Sequence, residues 1–360
     1  MFICPHVHGR DWDEAHKETL EHLLKVAEIA GFTAVIAMPN TMKQPITTLD
    51  AAVEYVELAK KAKSPVKFYV HMGLTNDEHQ VREAFRAVGK IKDIVGYDAI
   101  AGVKQYCCHS TNNMGVTCFA QRKRNLEIAV EENYTGVFIV HAEHHDLCKD
   151  NLFEPKNPRT HAEYCRPPVT EVKSVDEQIK LAKELGYKGT LHIAHISVPE
   201  SVYLVEQARQ DGLKVTCGVT LQHLLLDVTS LNGEYGLYRK CNPPVRPHGM
   251  NHEMLELLRN GLIDFVETDH APHTLDEKIG KALDAKGNQM YASGMTALQL
   301  YPLFVDYLRN NGFTEQRIHE VTFSKANELF KLGLTPRVCV PRACPEEYTF
   351  NPYKGTGVLE

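Results

Sequence analysis

Two histidines, His6 and His8, lie in a short apolar segment at the start of the chain. On a β-strand, residues i and i+2 point to the same face, so both imidazole rings can reach one cation. Such a pair is a weak signal in a chain with 19 histidines. It gains weight because four more residues suited to metal chemistry follow at the predicted ends of later strands: Lys104, His141, His195 and Asp269. Together the six residues predict a hydrolase with two metal ions.

The types of these residues indicate which ion they would bind. Imidazole and carboxylate ligands at this density favour Zn²⁺ over Mn²⁺, Co²⁺ or Fe²⁺. Lys104 needs a separate explanation because an ammonium group repels cations. Burial between two metal ions would lower its pKa, and the neutral amine could then add CO₂ to form a bridging carbamate. A structural lysine paired with an acidic residue is the alternative.

The elements that must position these residues alternate between strands and helices. Apolar segments predict eight strands, at 2–8, 33–38, 66–72, 97–104, 137–141, 190–195, 214–219 and 263–268. Helical spacing predicts helices at 20–30, after a cap at Asp50, and at 77–88, 119–132, 174–185, 199–211 and 252–260. Eight such units fit an α/β fold of the (β/α)₈ TIM barrel type, in which the carboxyl ends of all strands converge on one mouth. No GxGxxG motif follows the first strand, which argues against a dinucleotide-binding fold.

Composition excludes several classes of function. With 43% hydrophobic residues, 24% charged residues and a net charge of −6, the chain offers no electrostatic basis for binding nucleic acid or an anionic membrane. No apolar run approaches the roughly 20 residues that span a bilayer, and the first residues lack the features of a signal peptide. We therefore expect a cytoplasmic protein. Its ten scattered cysteines contain no CxxC pair and are expected to be reduced.

Six motifs make a resemblance to a known family specific. They are His6-Val7-His8-Gly9-Arg10, Met38-Pro39-Asn40, Gly102-Val103-Lys104, His141-Ala142-Glu143, His195-Ile196-Ser197 and Thr268-Asp269-His270-Ala271-Pro272-His273. In type and order they resemble the dihydroorotases of the amidohydrolase superfamily. The HxH pair and the aspartate after the eighth strand are shared across that superfamily. The HxHxR, MPN and TDHAPH elements together are much narrower.

The resemblance implies a binuclear centre with two Zn²⁺ ions bridged by N6-carboxylated Lys104. Its ligands would be His6, His8, Lys104, His141, His195 and Asp269. His195 is chosen over His192 because the family places this ligand directly before an Ile/Val-Ser pair, which leaves His192 a supporting or wall residue. Asp269 would also be the catalytic residue, acting as general base and then as general acid.

The resemblance also implies a site for the substrate's carboxylate. The residues concerned are Arg10, Asn40 and His273, and Asn242 resembles a further substrate contact in some members. Arg10 can form two parallel hydrogen bonds to a carboxylate, which a lysine cannot do. The segment from Lys104 to Thr117 resembles a Thr/Asn-rich loop that covers substrate in bacterial dihydroorotases, so Thr111 is a candidate contact.

Some features depart from the family's pattern. Gly9 replaces the usual leucine, with no evident purpose in the sequence, and Gly218 stands where some members carry an acidic extra ligand, so no third metal is expected. We expect a barrel over residues 1–336, without the N-terminal β-sandwich domain of longer relatives. Residues 337–360 are expected to form an irregular tail packed on that barrel. The long segments 146–172 and 220–250 are expected to shape the substrate pocket.

The implied reaction is the reversible cyclisation of N-carbamoyl-L-aspartate to (S)-dihydroorotate and water, a step of de novo pyrimidine biosynthesis. Allantoinases, hydantoinases and dihydropyrimidinases are the nearest alternative, and their substrates lack the ring carboxylate. A non-catalytic dihydroorotase-like partner of aspartate transcarbamoylase is another, and a deacylase of N-acyl amino acids or nucleobases a third. The expected partners are the small-molecule substrate, a second copy in a homodimer, and aspartate transcarbamoylase.

Overall fold

Eight parallel strands form a single sheet in the computed structural model, which describes residues 1–42, 44–109 and 114–360. The strands are β1 (Phe2–Val7), β2 (Phe32–Ala37), β3 (Lys67–Gly73), β4 (Ile100–Tyr106), β5 (Val137–His141), β6 (Thr190–Ile193), β7 (Val215–Thr220) and β8 (Phe265–Glu267). Each strand pairs in parallel with the next one along the chain. A parallel bridge between Val7 and His270 brings the end of β8 against β1. The predicted (β/α)₈ barrel is confirmed.

Helices follow the strands around the outside of the barrel. They are α1 (Leu20–Ile29), α2 (Leu49–Lys61), α3 (Glu78–Lys90), α4 (Lys92–Val95), α5 (Phe119–Glu131), α6 (Pro168–Glu184), α7 (Pro199–Gln210), α8 (Leu221–Leu225), α9 (Met250–Arg259), α10 (Leu275–Lys278), α11 (Tyr301–Asn310), α12 (Glu315–His319) and α13 (Lys325–Leu329). Within the described parts of the chain, none of them is both long and apolar enough to cross a membrane.

Three of the differences from the sequence-based boundaries have a local cause, at the starts of α6, α2 and β4. Helix α6 begins six residues early because Pro168 occupies its first turn, where a fixed φ and a missing N–H cost nothing. Helix α2 is capped by Thr48 rather than Asp50, since the Thr48 side chain accepts the Ala51 N–H. Strand β4 starts late because a turn in which the Ala99 N–H bonds to the Tyr97 carbonyl precedes it.

The barrel interior changes from apolar to polar along the strands. Part of the interior is an apolar cluster that includes Ile3, Ile36, Ile139, Phe265 and Phe330. At the carboxyl ends the same interior holds imidazole, amine and carboxylate side chains. Ile3 and His6 both face inward although they are an odd number of positions, three, apart, and a register shift in the β1–β2 pairing between Cys4 and Val7 accommodates this.

Residues 337–360 cross the barrel surface after α13 and contain one short helical turn, Pro345–Glu347. The Arg342 N–H bonds to the Ile29 carbonyl, and the Cys344 N–H bonds to the Gln299 carbonyl. Cys344 and Tyr353 have no exposed surface. The segment therefore contributes buried side chains to the body of the protein.

Candidate metal centre

The carboxyl ends of the strands bring the six predicted ligands into one region. His6 and His8 lie at the end of β1, Lys104 is in β4, and His141 ends β5. His195 and Asp269 each follow their strand by two residues. Both have positive φ angles, 39° for His195 and 45° for Asp269. A left-handed backbone is costly for such residues and recurs at functional sites, where the surrounding structure holds it in place.

His6, His8 and Asp269 converge on one point. The Nε2 atoms of His6 and His8 lie 3.2 and 2.9 Å from the same oxygen, Oδ1 of Asp269. The three ligand atoms are all within 4.8 Å of one another, as a common metal ion requires. Two imidazoles and a carboxylate are a typical donor set for Zn²⁺. This group therefore fits a metal ion.

His141 and His195 form a second pair of donors. His141 Nδ1 lies 3.0 Å from His195 Nε2, and the His195 ring is 5.0 Å from the His6 ring. Burial lowers the pKa of both rings, His195 by more than His141. Neutral imidazole is the form that binds metals. The pair is thus positioned beside the first group and in the right protonation state.

Lys104 is fully buried, and its Nζ has no hydrogen-bond partner among the described residues. Burial lowers the pKa of this amine to about 8. A buried ammonium group without a partner is costly, whereas a neutral amine is available for carbamate formation. Among the described residues, Glu267 and Asp269 are near enough to favour the ammonium form electrostatically, but neither accepts a hydrogen bond from it.

Hydrogen bonds fix the tautomers of three of the histidines. His6 Nδ1 lies 2.6 Å from Glu267 Oε2, His8 Nδ1 lies 2.9 Å from Asn40 Oδ1, and His141 Nε2 lies 2.8 Å from Glu143 Oε2. Because each of these oxygens is an acceptor, the facing nitrogen carries the proton and the other nitrogen keeps its lone pair. That second nitrogen is the one aimed at the candidate metal positions.

Sequence reasoning assigned no role to Glu267 or Glu143. Glu267 also accepts the His195 backbone N–H at 3.0 Å and lies 3.2 Å from His192 Nε2, so His192 contacts the glutamate that orients His6. Glu143 is paired with the buried Arg166 at 2.6 Å. A signal was present in the sequence: each glutamate is an acidic residue two positions from a predicted ligand, His141 or Asp269.

The substrate-binding candidates lie around the same space, which we call the metal pocket. It is lined by His6, His8, Arg10, Asn40, Tyr106, His141, His195, Asn242, Asp269, Ala271, Ser293 and Gly294. His273 lies behind Arg10, with its Nε2 3.2 Å from an Arg10 nitrogen and its Nδ1 3.1 Å from Glu277. Thr111 falls outside the described residues.

Both glycine departures have a steric reason. A Cβ on Gly9 would lie 2.7 Å from the Tyr55 hydroxyl, which itself donates to the Arg10 carbonyl. A Cβ on Gly218 would lie 1.9 Å from Glu267 Oε1. The glutamate on β8 therefore fills the space in which an acidic residue at position 218 would stand.

Comparison with known proteins agrees with this geometry. No protein-family model matches the chain. A dihydroorotase from Listeria monocytogenes is 30% identical over 340 residues, which cover 92% of this chain and 72% of that protein. The chain belongs to the dihydroorotase family. A sequence relationship of this extent also makes it a metal-dependent hydrolase of cyclic amides.

The solved structures of other hydrolases share this fold. The L-hydantoinase (dihydropyrimidinase) from Arthrobacter aurescens has a TM-score of 0.77 and 26% identity, covering 94% of this chain and 73% of that one. A dihydroorotase from Saccharomyces cerevisiae, in complex with 5-fluoroorotic acid, has a TM-score of 0.71 at 19% identity, covering 92% and 84%. The second likeness bears on the fold alone.

Proposed function

We propose that this dihydroorotase family member catalyses the reversible cyclisation of N-carbamoyl-L-aspartate to (S)-dihydroorotate and water. The observation that carries the proposal is Arg10, which lines the metal pocket and is only 2% exposed. The guanidinium is 3.5 Å from the buried Glu14 carboxylate, and the fork of donors that it brings to the pocket also matches the geometry of a substrate carboxylate. Dihydroorotate carries a ring carboxylate, whereas hydantoin, allantoin and dihydrouracil do not.

Two Zn²⁺ ions are proposed to complete the site. His6, His8 and Asp269 would hold one ion, His141 and His195 the other, and carboxylated Lys104 would join them. Metal ions held there would supply Lewis-acid chemistry: hydroxide would be available from water at neutral pH, and the ring amide would be polarised.

The protein's own side chains bind the ring and move the proton. Arg10 and Asn40 bind the carboxylate and so orient the scissile amide towards Asp269, and Asn242 lines the same pocket. Burial opposes ionisation of Asp269, but His6 and His8 hold its pKa well below the usual range, so it starts as a base. A carboxylate oxygen of Asp269 accepts a proton from the attacking water in hydrolysis and delivers it to the departing ring nitrogen. In synthesis the same transfers run in reverse.

The test is turnover of dihydroorotate by the purified protein, beside hydantoin, allantoin and dihydrouracil, before and after chelation of metal. We expect chelator-sensitive hydrolysis of dihydroorotate and none of the uncharged rings. Turnover of an uncharged ring instead would overturn the role of Arg10 while keeping the metal centre. No turnover by fully metal-loaded protein would favour a non-catalytic partner.

A hydantoinase or dihydropyrimidinase activity is the second candidate, because the Arthrobacter aurescens enzyme shares the fold at 26% identity. The same substrate panel decides between the two activities. We further propose that residues 1–336 form one domain with the tail 337–360 packed on it, that the protein is a homodimer, and that it associates with aspartate transcarbamoylase. Sedimentation of the protein alone and with that enzyme tests the assembly proposals.

A further inference from the structure

A hydrogen-bond cluster, buried except for part of Tyr348, joins the C-terminal segment to His270, which follows Asp269 of the metal pocket. We call it the Tyr348 cluster, and its members are Tyr348, Glu18 and His270. The Tyr348 hydroxyl donates to Glu18 Oε1 at 2.5 Å and lies 3.0 Å from His270 Nε2. His270 Nε2 is also 3.3 Å from Glu18 Oε2, and the Glu18 and His270 side chains are completely buried.

The protons in this cluster have one consistent arrangement. His270 Nδ1 accepts the backbone N–H groups of Ala297 at 3.0 Å and Leu298 at 3.3 Å, so the ring proton is on Nε2. That N–H donates towards the Tyr348 oxygen and Glu18, and the tyrosine hydroxyl in turn donates to the carboxylate. Every polar atom of the cluster is paired, which holds the imidazole in one orientation.

The backbone of His270 connects this ring to the reacting groups. Its carbonyl accepts the His8 N–H at 2.8 Å, and its own N–H is bonded to the Thr268 hydroxyl at 3.1 Å. Asp269, with its φ of 45°, lies between Thr268 and His270. A residue in the left-handed region keeps that conformation only when its neighbours are held firmly. The hydrogen bonds of the His270 ring contribute to this restraint on Asp269.

We infer that Tyr348 is a positioning residue for the hydrolase reaction: through His270 it keeps Asp269 and His8 in their reactive arrangement. The inference rests on the proposed role of Asp269 in proton transfer. Without the tyrosine hydroxyl, His270 Nε2 keeps only the longer contact to Glu18, and the strained turn at Asp269 gains freedom. Small displacements at a reacting group lower turnover more than they weaken substrate binding.

The test compares Tyr348→Phe with Tyr353→Phe in the metal-loaded, full-length enzyme. Tyr353 is the matched control because it lies in the same segment, is fully buried, and contacts Gln222 at 3.5 Å rather than His270. We expect Tyr348→Phe to lower kcat about tenfold with KM unchanged, while Tyr353→Phe leaves kcat within about twofold. Metal content and the thermal midpoint of both variants are measured beside the kinetics, and we expect them to match.

An unchanged kcat in Tyr348→Phe, or equal losses in both variants, would overturn the inference. Glu18→Gln perturbs the cluster from its other side and is expected to lower kcat in the same way, so one poorly folding variant does not decide the result. If the unmodified protein hydrolyses an uncharged ring rather than dihydroorotate, the proposed substrate is wrong. The comparison of variants then proceeds on the ring that is turned over, so the two failures are distinguishable.

Discussion

Replacing Glu267 with glutamine should weaken metal binding without unfolding the protein. The carboxylate is contacted at both oxygens: His6 Nδ1–H lies 2.6 Å from Oε2, and the His195 backbone N–H and His192 Nε2 lie 3.0 and 3.2 Å from Oε1. A glutamine side chain has one acceptor oxygen, so either His6 or the His195 N–H must face its NH₂ group. Metal binding needs the His6 ring in its present orientation, whereas the metal-free protein can let the ring turn away.

The structure sets the size of the effect. One unmet buried donor costs about 1–3 kcal/mol, which corresponds to about 5- to 150-fold in a binding equilibrium. Loss of a residue that orients a metal-binding histidine weakens metal affinity about 10- to 100-fold in other sites, which is the same range. We therefore expect Zn²⁺ affinity to fall about 10- to 100-fold in Glu267→Gln.

The assay is Zn²⁺ titration against a competing chelator, with Asp264→Asn as the matched control. Asp264 precedes the same strand at its other end, where it accepts the Cys217 N–H at 2.8 Å and pairs with Arg209. Its replacement should lower thermal stability and leave metal affinity unchanged. Wild-type affinity in Glu267→Gln, or an equal loss in both variants, would refute the reasoning.

Three further outcomes are expected. Asp269→Asn should keep the fold and lose about 10²- to 10⁴-fold in kcat, and turnover near wild type would exclude its role in proton transfer. Arg10→Met should raise KM for dihydroorotate about 10-fold or more through loss of a charged hydrogen bond, and an unchanged KM would remove the carboxylate assignment. Although burial opposes ionisation, interactions that include His270 and Tyr348 lower the pKa of Glu18 from an ordinary 4.5 to about 2. Its contribution to stability is therefore present above pH 4.5 and is lost as the pH falls towards 2, so the thermal midpoint should depend less on pH in Glu18→Gln.

Local patterns in the chain were enough to predict the fold and the grouping of the metal-binding candidates. Apolar residues recur with a different period in strands than in helices, so the two kinds of element can be told apart in the sequence. Few folds accommodate eight alternating strands and helices, and the spacing alone therefore predicted the barrel. Placing His6, Lys104 and Asp269 at strand ends needed no knowledge of packing. This is because the carboxyl ends of all strands in a parallel barrel lie at the same end of the barrel.

Contacts between residues distant in sequence were decided only in the tertiary structure. Glu267 reaches His6 across 261 positions, and Tyr348 reaches His270 across 78. Neither contact produces a periodic pattern in the sequence. The first depends on β8 lying beside β1 in the barrel, and the second depends on where residues 337–360 cross its surface. The need for glycine at position 218 is likewise explained only by the contact with Glu267 in the folded protein. Residue types and their spacing determined which groups could do chemistry, whereas packing determined which tautomers and backbone conformations those groups hold.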